Sequence, residues 1–483
     1  MKFLYLSINQ SAYLMSSNSR RTFLKHSLLL TGSAALSSSA FADVKLHCPN
    51  ERINLACIGI GNRGAEIIRD RYKTGMCNIV ALCDVDMGAK HTLDIIRQFP
   101  NVPRYQDFRQ MFDKMHGKID AVSIGVPDFS HFPITMMAID YGIHVYVEKP
   151  LSRTFWESEL MMKKAEKFPK VVTQMGNQGH SEANYFQFKE WVDKGIIKDV
   201  TRIDAHMNNP RRWHGWDPQM KGFPYPERIP DTLDWDLWQA HTVGHEYNRS
   251  FVNGEWRCWY DFGMGALGDW GSHIIDTAHE FLEMGLPNSI ETVKLEEHNS
   301  FFFPYSSTLL FKFPKRKNMP AIDLTWYDGL DNLPSIPAGY GVSGLDPNIP
   351  PPSTGKIEPS KLSPGKIIYS KDYIFKGASH GSTLQIIPEE KARDMESRLP
   401  VVPTGSNHFE NFFKSCKGEE KTRSPFAISG PLSQVFCLGV ISQRLHAKLE
   451  FDPIHKKFTN NSFANALLVG PPPRKGWEDF YKV

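Results

Sequence analysis

A glycine motif near residue 60 has the spacing of a dinucleotide-binding turn. Gly59, Gly61 and Gly64 directly follow the apolar run Ile53–Ile58 and precede a helix-like stretch that begins at Ala65. In such a turn the first glycine permits the bend, the second lets the backbone approach a pyrophosphate, and the third allows helix and strand to pack closely. The amino end of the helix offers unpaired N–H groups to the phosphates. The motif therefore predicts a strand, turn and helix that bind a dinucleotide.

An acidic residue follows the next strand-like run. Residues 79–83 are apolar and end at Asp84, close to where an acid hydrogen-bonds the ribose 2′-hydroxyl of NAD. A carboxylate there repels the 2′-phosphate of NADP, so the sequence favours NAD and makes NADP less likely. Asp86 competes for the same role. A doubly wound sheet that serves another ligand is the alternative interpretation.

A polar stripe with helical spacing lies between residues 269 and 280. At about 100° per residue, Asp269, His273, Asp276 and Glu280 share one side of a helix, opposite apolar residues such as Ile274. The pattern alone favours an amphipathic helix with a solvated acidic face. A metal site is disfavoured, because no fourth ligand accompanies two carboxylates and one imidazole.

The surrounding elements suggest how these residues are positioned. Strand-like runs at 121–126 and 144–147 end at Pro127 and Glu148, and ligands bind at the carboxyl ends of parallel strands. From about residue 171 the strand–helix alternation stops, and strand-like segments follow at 199–208, 290–299, 307–313 and 320–327. Residues 330–370 are rich in proline and predict a long loop, which is either a lid or subunit arm or a solvated insertion.

Seven motifs resemble those of the glucose–fructose oxidoreductase / inositol dehydrogenase / MocA (Gfo/Idh/MocA) family of NAD(P)-dependent sugar and polyol oxidoreductases. They are G-I-G-N-R-G at 59–64, V-P-D-F-S-H at 126–131, E-K-P at 148–150, T-Q-M-G-N-Q at 173–178, W-Y-D-F-G at 259–263, G-D-W-G-S-H-I-I-D at 268–276 and R-K-G-W at 474–477. The resemblance implies an α/β fold: an NAD-binding Rossmann domain, here 51–170, and an α+β domain with an open, mostly antiparallel sheet, here 171–460. Residues 461–483 would form a C-terminal tail.

The resemblance also implies which residues bind the cofactor and which react. The predicted cofactor contacts are Gly59, Gly61, Asn62, Arg63, Gly64, Asp84, Pro127, His131, Glu148 and Lys149. The predicted catalytic set is Lys149, Asp269 and His273, since the family pairs its lysine with D-x-x-x-H.

The chemistry of alcohol oxidation suits these three residues. A base must take the hydroxyl proton, and His273 has the appropriate side chain. Asp269 would fix the tautomer of that imidazole, and Lys149 would hold the same oxygen. Without the resemblance, Lys149 is equally well interpreted as an ion-pair partner of Glu148.

Residues 174–260 mix amides, guanidinium groups and indoles, a combination that fits a carbohydrate pocket, although single aromatic residues more often build cores. We predict substrate contacts at Asn177, His180, Arg211 and Asp276.

The first 42 residues resemble a twin-arginine export signal. Arg20 and Arg21 precede a mildly apolar stretch and the small-residue site Ala40-Phe41-Ala42. We therefore expect the twin-arginine export machinery as a partner, cleavage after Ala42, and a periplasmic protein; a disordered basic tail is the alternative. The stretch is too short to be a stable membrane anchor.

Charge and cysteine usage exclude some classes of function. Without the basic residues at 1–42 the net charge falls from +3 to −1, which gives no reason to expect a nucleic-acid partner. The seven cysteines are scattered and indicate neither a zinc ribbon nor a disulfide framework, and Cys57 and Cys83 are predicted core residues.

Together these features predict a periplasmic NAD-dependent oxidoreductase that acts on a sugar, polyol or glycoside and keeps its cofactor tightly bound. The alternatives are an NAD-dependent glycoside hydrolase that works by transient oxidation and elimination, and a non-catalytic sugar-binding protein. The resemblance also implies a homo-oligomer, because relatives use an exposed face of the second domain's sheet as a dimer surface.

Overall fold

The computed structural model describes residues 51–208, 217–317, 319–330, 332–341 and 362–483. The predicted export signal, Cys48 and Arg211 lie outside the described residues. The described residues fold as one unit that contains two β-sheets. The six cysteines within it form no disulfide among the described residues and are all buried, which confirms the core positions of Cys57 and Cys83.

The first sheet is a Rossmann sheet of six parallel strands in the order β3-β2-β1-β4-β5-β6. Its strands are β1 (Ile53–Ile58), β2 (Cys77–Cys83), β3 (Arg104–Tyr105), β4 (Ala121–Ile124), β5 (His144–Val147) and β6 (Thr173–Met175). The helices of this domain are α1 (Asn62–Lys73), α2 (Leu93–Gln98), α3 (Phe108–Met115), α4 (His131–Asp140) and α5 (Phe155–Lys167). The predicted domain boundary at residue 170 is too early, because β6 belongs to this sheet and pairs with β5. The sequence did not reveal β6, since three residues carry no readable hydrophobic pattern.

The second sheet has nine strands in the order β13-β12-β11-β7-β10-β9-β8-β14-β15. All of its pairs are antiparallel except β7 with β10. Its strands are β7 (Val200–Met207), β8 (Ser289–Glu296), β9 (Ser306–Phe313), β10 (Ile322–Asp328), β11 (Gly365–Ser370), β12 (Ile374–Ala378), β13 (Gln385–Ile387), β14 (Lys448–Asp452) and β15 (Lys457–Phe458). The four strand segments predicted between 199 and 327 are confirmed as β7 to β10.

Eight helices complete the described chain. They are α6 (Ala183–Asp193), α7 (Trp235–Gln239), α8 (Gly265–Ile274), α9 (Asp276–Phe281), α10 (Glu389–Met395), α11 (His408–Cys416), α12 (Phe426–Leu445) and α13 (Ser462–Val469). Helix α12 is long and apolar enough to cross a membrane, but 78% of its most apolar window is buried inside the fold, as in a core helix. The predicted tail begins with α13, and Trp477 near its end is buried.

Two elements differ from the sequence prediction. Strand β11 lies inside the predicted proline-rich insertion and pairs with β7 and β12, so the last six residues of that segment belong to the sheet. Its pattern was hidden because prolines dominate the preceding residues, of which 342–361 are not described. The predicted single helix after residue 269 is two helices, α8 and α9, which meet at Ile275.

Candidate active site

Backbone atoms crowd the glycine turn at two of its three glycines. Gly59 has a φ of +77°, and a Cβ atom added there would lie 2.6 Å from the carbonyl carbon of Gly125. A Cβ atom on Gly64 would lie 2.0 Å from the carbonyl oxygen of Gly59. Both positions therefore require glycine, and Gly64 allows α1 to pack closely on the strands, as predicted.

Asp84, which follows β2, is hydrogen-bonded to this turn. One of its carboxylate oxygens accepts a hydrogen bond from the backbone N–H of Ile60 at 2.9 Å, and the other accepts one from the N–H of Asp86 at 3.0 Å. Burial raises the pKa of Asp84, although these two hydrogen bonds oppose the shift. Asp86 instead accepts a hydrogen bond from the Thr232 hydroxyl at 2.7 Å. The carboxylate at the end of β2 that lies beside the glycine turn is thus that of Asp84.

A cleft of about 620 Å³ opens in front of the turn. Among its lining residues are Gly59, Gly61, Asn62, Arg63, Asp84 and Pro127, all predicted cofactor contacts. His91, which sequence reasoning missed, also lines it and covers Gly61, where an added Cβ would lie 2.0 Å from the ring. The size suits a small-molecule ligand, and the crowded glycine turn with a neighbouring carboxylate suits a dinucleotide. These residues fit NAD.

Residues 230–258, here named the strap, close the other side of the cleft. Leu237, Trp238, Tyr247, Trp256 and Arg257 of the strap line it. The strap is joined to the loop after β2 by a β-bridge between Leu233 and Asp86 and by a hydrogen bond from Asp234 N to Val85 O. The Gln106 side chain of the Rossmann domain donates a further hydrogen bond to Thr232 O of the strap at 3.2 Å. The cleft is therefore bounded on one side by the Rossmann loops and on the other by the strap, which is hydrogen-bonded to those loops.

The C-terminal tail holds the strap in turn. The Arg474 guanidinium donates hydrogen bonds to the backbone oxygens of Ala240 at 2.9 Å and Asp236 at 2.8 Å. His241 of the strap contacts the buried Glu157 of α5 at 2.7 Å. For the strap to move away from the cleft, all three of these contacts would have to break.

Two predicted cofactor contacts have other roles in the described chain. His131 is fully buried, and its ring nitrogens lie 2.8 Å from Pro150 O and 3.0 Å from Val126 O. Burial lowers the pKa of His131 to about 4, so the ring is neutral and donates its single N–H to one of these two carbonyl oxygens. Glu148 is buried and accepts a hydrogen bond from the Gln178 amide at 3.0 Å. His131 is not among the residues that line the cleft, and its direct contact with the cofactor stays a prediction.

Lys149, at the end of β5, meets Asp269 of α8. Its ammonium donates to Asp269 Oδ1 at 2.9 Å and to the backbone oxygen of the same residue at 2.8 Å. Arg257 of the cleft lining lies 3.6 Å from the same carboxylate oxygen. The ion pair of Lys149 with Glu148, considered from the sequence, is therefore replaced by a pair across the two domains. Arg257, which the sequence placed only within the mixed polar and aromatic residues of 174–260, connects this pair to the cleft.

His273 lies one turn further along α8. It is buried, and its Nδ1 atom has no hydrogen-bond partner among the described residues. The predicted orientation of the ring by Asp269 is therefore not made through Nδ1. Burial and then the Lys149 ammonium lower the pKa of His273 well below its usual value. The imidazole is neutral at pH 7 and has a free lone pair or N–H, as an acid–base group requires.

The rest of the polar stripe forms a buried network. Asp276 receives a hydrogen bond from the Asn177 amide at 3.4 Å and lies 3.1 Å from His180 Nδ1, while Glu280 contacts the other nitrogen of His180. Burial disfavours a charged ring, but the hydrogen bonds to the two carboxylates outweigh it and raise the pKa of His180 to about 9. Ser424 donates a hydrogen bond to Asn177 at 2.7 Å.

This network corrects the interpretation of the stripe as a solvated face, because Asp269, His273 and Asp276 are only 5–7% exposed. Asn177 and His180 are 1% exposed, and in this structure their polar atoms bind protein partners, Asp276 among them. Direct substrate contacts at Asn177 and His180 stay predictions. A substrate contact at Asp276 stays a prediction, and Arg211 lies outside the described residues.

Comparisons with known proteins agree with this geometry. Residues 53–175 match the model of an oxidoreductase family with an NAD-binding Rossmann fold, and residues 186–299 match the model of its C-terminal alpha/beta domain. The names of both models carry the Gfo/Idh/MocA label.

Individual relatives align over parts of the chain. An inositol 2-dehydrogenase/D-chiro-inositol 3-dehydrogenase of Lactiplantibacillus plantarum is 24% identical over 33% of this chain and 45% of its own length. A glycosyl hydrolase family 109 protein of Streptomyces niveus is 24% identical over 42% of each chain. This chain thus spans less than half the length of these two relatives.

One solved structure shows how far the fold is shared. The WlbA dehydrogenase of Chromobacterium violaceum, in complex with NADH and UDP-GlcNAcA, has a TM-score of 0.55 at 14% identity and covers 85% of this chain and 99% of its own. At that identity the likeness concerns the fold alone.

Proposed function

We propose that this chain, which belongs to the Gfo/Idh/MocA family of NAD-binding oxidoreductases, transfers a hydride between a hydroxyl-bearing carbon of a sugar, polyol or glycoside and a tightly held NAD. The observation that carries the proposal is the convergence of Lys149, Asp269 and His273 beside a cleft that fits a dinucleotide. Arg257 lines that cleft and lies 3.6 Å from Asp269, so the reacting groups stand at its edge.

Each of the three residues has a defined task in alcohol oxidation. The bound NAD supplies the hydride acceptor. Lys149 donates a hydrogen bond to the alcohol oxygen and stabilises the negative charge that develops there, a type of contribution worth about 10²–10³ in rate. His273, neutral at pH 7, accepts the hydroxyl proton at a ring nitrogen. Asp269 holds the ammonium in place through the 2.9 Å contact.

The strap supports a cofactor that stays bound. It closes the cleft and is itself fixed by the tail through Arg474. A protein that works outside the cytoplasm meets no free pool of nicotinamide, so a retained cofactor and a redox-neutral cycle or second substrate are required. The test is to denature purified mature protein in acid and to assay the supernatant for NAD. About one NAD per chain is expected, whereas protein that is empty when isolated would overturn tight retention.

The substrate class is tested with a panel of sugars, polyols and glycosides. We expect a keto product whose mass is two hydrogens below that of its substrate, when a second carbonyl compound is supplied as hydride acceptor. Lys149→Ala should abolish this turnover while NAD stays bound. Undiminished turnover in Lys149→Ala would remove Lys149 from the mechanism, and a protein that binds sugars without converting any of them would be a binding protein.

A glycoside hydrolase is the second candidate, and the similarity to a glycosyl hydrolase family 109 protein favours including it. Both activities would use the same Lys149 and His273. The product distinguishes them: free sugar formed without an added oxidant indicates hydrolysis, whereas accumulating keto sugar indicates dehydrogenation.

The cellular location is part of the proposal and rests on residues 1–42. The twin-arginine pattern supports export to the periplasm with cleavage after Ala42. Mass spectrometry of the cell fractions should find a periplasmic protein that begins at Asp43. Replacement of Arg20 and Arg21 by lysine should keep the chain in the cytoplasm, and unchanged export of that variant would exclude this route.

A further inference from the structure

A histidine from a distant part of the chain lies against His273. The loop between β12 and β13 carries His380, whose ring stacks on the His273 ring with centroids 4.0 Å apart and an interplanar angle of 19°. The backbone N–H of His380 also donates a hydrogen bond to the backbone oxygen of His273 at 3.0 Å. The rings of Trp270 and His380 pack in a T-shaped arrangement with centroids 5.0 Å apart. Two imidazoles that are far apart in sequence are therefore held face to face.

The loop is fixed in this position from the side of the second domain. Gly381 accepts a hydrogen bond from the N–H of Asn184 at 2.9 Å, and a Cβ atom added to Gly179 would lie 2.8 Å from the nitrogen of Gly381. His380 itself has a φ of +53°, which is unfavourable for a residue with a side chain. Such a conformation persists only where the surroundings determine it, so the position of His380 is a property of the folded site.

The two rings differ in exposure. His273 is 7% exposed, whereas His380 is an exposed residue, so its ring covers a side of the inner imidazole that would otherwise face solvent. The hydroxyl of Ser379 lies 2.8 Å from His380 Nδ1 and fixes the outer ring. The His380 imidazole thus shields one face of the His273 imidazole from solvent.

The charges around the pair come from both domains. Lys149 and Arg63 of the Rossmann domain disfavour a proton on either ring, whereas Asp269 of α8 favours it. Asp276 of α9 acts in the same sense as Asp269 on His380. Burial is the largest influence and lowers the pKa of both histidines. The environment of His273 therefore depends on its cover as well as on these charges.

We propose that His380 is a positioning residue for His273: its ring fixes the plane of the inner imidazole and excludes water from its outer face. The catalytic meaning of this role rests on the proposed function, in which His273 accepts the hydroxyl proton. The phenyl ring of a His380→Phe variant would still cover the His273 imidazole, whereas the smaller amide of His380→Asn would leave it uncovered.

The first experiment needs no substrate. The holoprotein is labelled with ¹³C at the histidine Cε1 position, and the His273 signal, assigned by its loss in His273→Gln, is followed by NMR from the lowest pH at which the proteins stay folded up to pH 9 in wild type, His380→Asn and His380→Phe. Asparagine tolerates a positive φ, so His380→Asn preserves the loop. We expect no titration of His273 near pH 6.5 in wild type and His380→Phe, and a midpoint about one unit higher in His380→Asn, because water then reaches the ring.

His279 provides an internal control. It is also buried, its pKa is lowered to about 4 by burial, and its ring lies 2.9 Å from Gly285 O instead of stacking on His380. Its signal should behave identically in all three proteins. An unchanged His273 signal in His380→Asn would overturn the proposal, and this holds even if His380→Phe does not fold, as circular dichroism would reveal.

The second experiment separates this proposal from the proposed function. With a substrate from the panel, His380→Asn should lower kcat about tenfold to 100-fold with KM within threefold, and should move the acidic limb of the kcat profile upward by about one pH unit. His380→Phe should restore kcat to within threefold of wild type. If wild type turns over and His380→Asn matches it in kcat and pH profile, His380 has no positioning role. If wild type converts nothing on the panel, the proposed function fails, while the NMR titration still decides the role of His380.

Discussion

Replacing Asp269 by asparagine tests the link between the two domains at the reacting centre. Asp269→Asn keeps the size of the side chain but removes the charge that Lys149 contacts at 2.9 Å and Arg257 at 3.6 Å. The Lys149 and Asp269 side chains are 12% and 5% exposed, so water screens the pair little. The backbone hydrogen bond from Lys149 to residue 269 remains available in the variant.

The expected loss of stability follows from this burial. Removing one partner of a buried ion pair costs about 3–5 kcal/mol, because the other charge is left uncompensated. Two cations lose their shared carboxylate here, but the backbone oxygen still accepts from Lys149, so we expect about 3 kcal/mol. The Lys149 ammonium is then no longer held in position to bind the alcohol oxygen, and kcat should fall about 100-fold.

The assay is urea unfolding at pH 7 for the free energy, together with turnover on a sugar substrate and the NAD content of the purified protein. Asp261→Asn is the matched control. Asp261 lies in the preceding loop, 3.0 Å from His245 and 3.7 Å from Arg444, with an 18% exposed side chain. It should lose some stability and keep kcat within twofold. If Asp269→Asn unfolds within about 0.5 kcal/mol of wild type and keeps its kcat, the assignment of the Lys149–Asp269 pair to catalysis is refuted.

Three further predictions concern the cofactor turn and the buried network. Gly59→Ala should yield protein without NAD by the acid-release assay, because the new methyl would lie 2.6 Å from Gly125; full NAD content would contradict the close approach. Asp84→Asn should raise the ratio of NADP to NAD affinity in calorimetric titrations of refolded apoprotein about tenfold, through loss of about 1.4 kcal/mol of repulsion, and an unchanged ratio would exclude Asp84 as the discriminator. His180 has a pKa raised to about 9 in the folded chain, above its usual 6.5, so its stabilisation is complete below pH 6.5 and is lost as the pH rises through 9. Unfolding free energies should therefore fall by up to about 3 kcal/mol between pH 6.5 and 9.5, with a flatter profile in His180→Gln, and identical slopes for the two proteins would show that His180 is not charged.

Much of the first domain could be predicted from contiguous residues. The apolar run 53–58, the three glycines and Asp84 at the end of β2 are local features whose meaning depends on bond geometry and on the register of one strand, turn and helix. Strands β7 to β10 were also readable, because each is a run of apolar and β-branched residues bounded by turns. Strand β6 was missed, since three residues carry no periodicity, and β11 was missed because it follows a proline-rich segment.

The candidate site shows where such reasoning stops. The helical wheel grouped Asp269, His273 and Asp276 correctly, but a wheel cannot say whether a polar stripe faces water or another domain. In the structure the Lys149 ammonium lies 2.9 Å from the Asp269 carboxylate, although the two residues are 120 positions apart in the sequence. That contact decides between a solvated face and a reacting centre. The surroundings of His131 could not be predicted for the same reason: its motif is local, but the two backbone oxygens beside its ring are fixed only by the fold.

The amino-acid sequence determined the family, the dinucleotide turn and the identity of the polar residues that carry the chemistry, because these depend on residue type and short spacing. Only the tertiary structure decided the partners of Lys149, the burial of the polar stripe, the closure of the cleft by the strap and the stacking of His380 on His273. The physical reason is that a charge or an imidazole acquires its properties from the groups and the water around it, and in this protein those groups come from elements that are distant in the sequence.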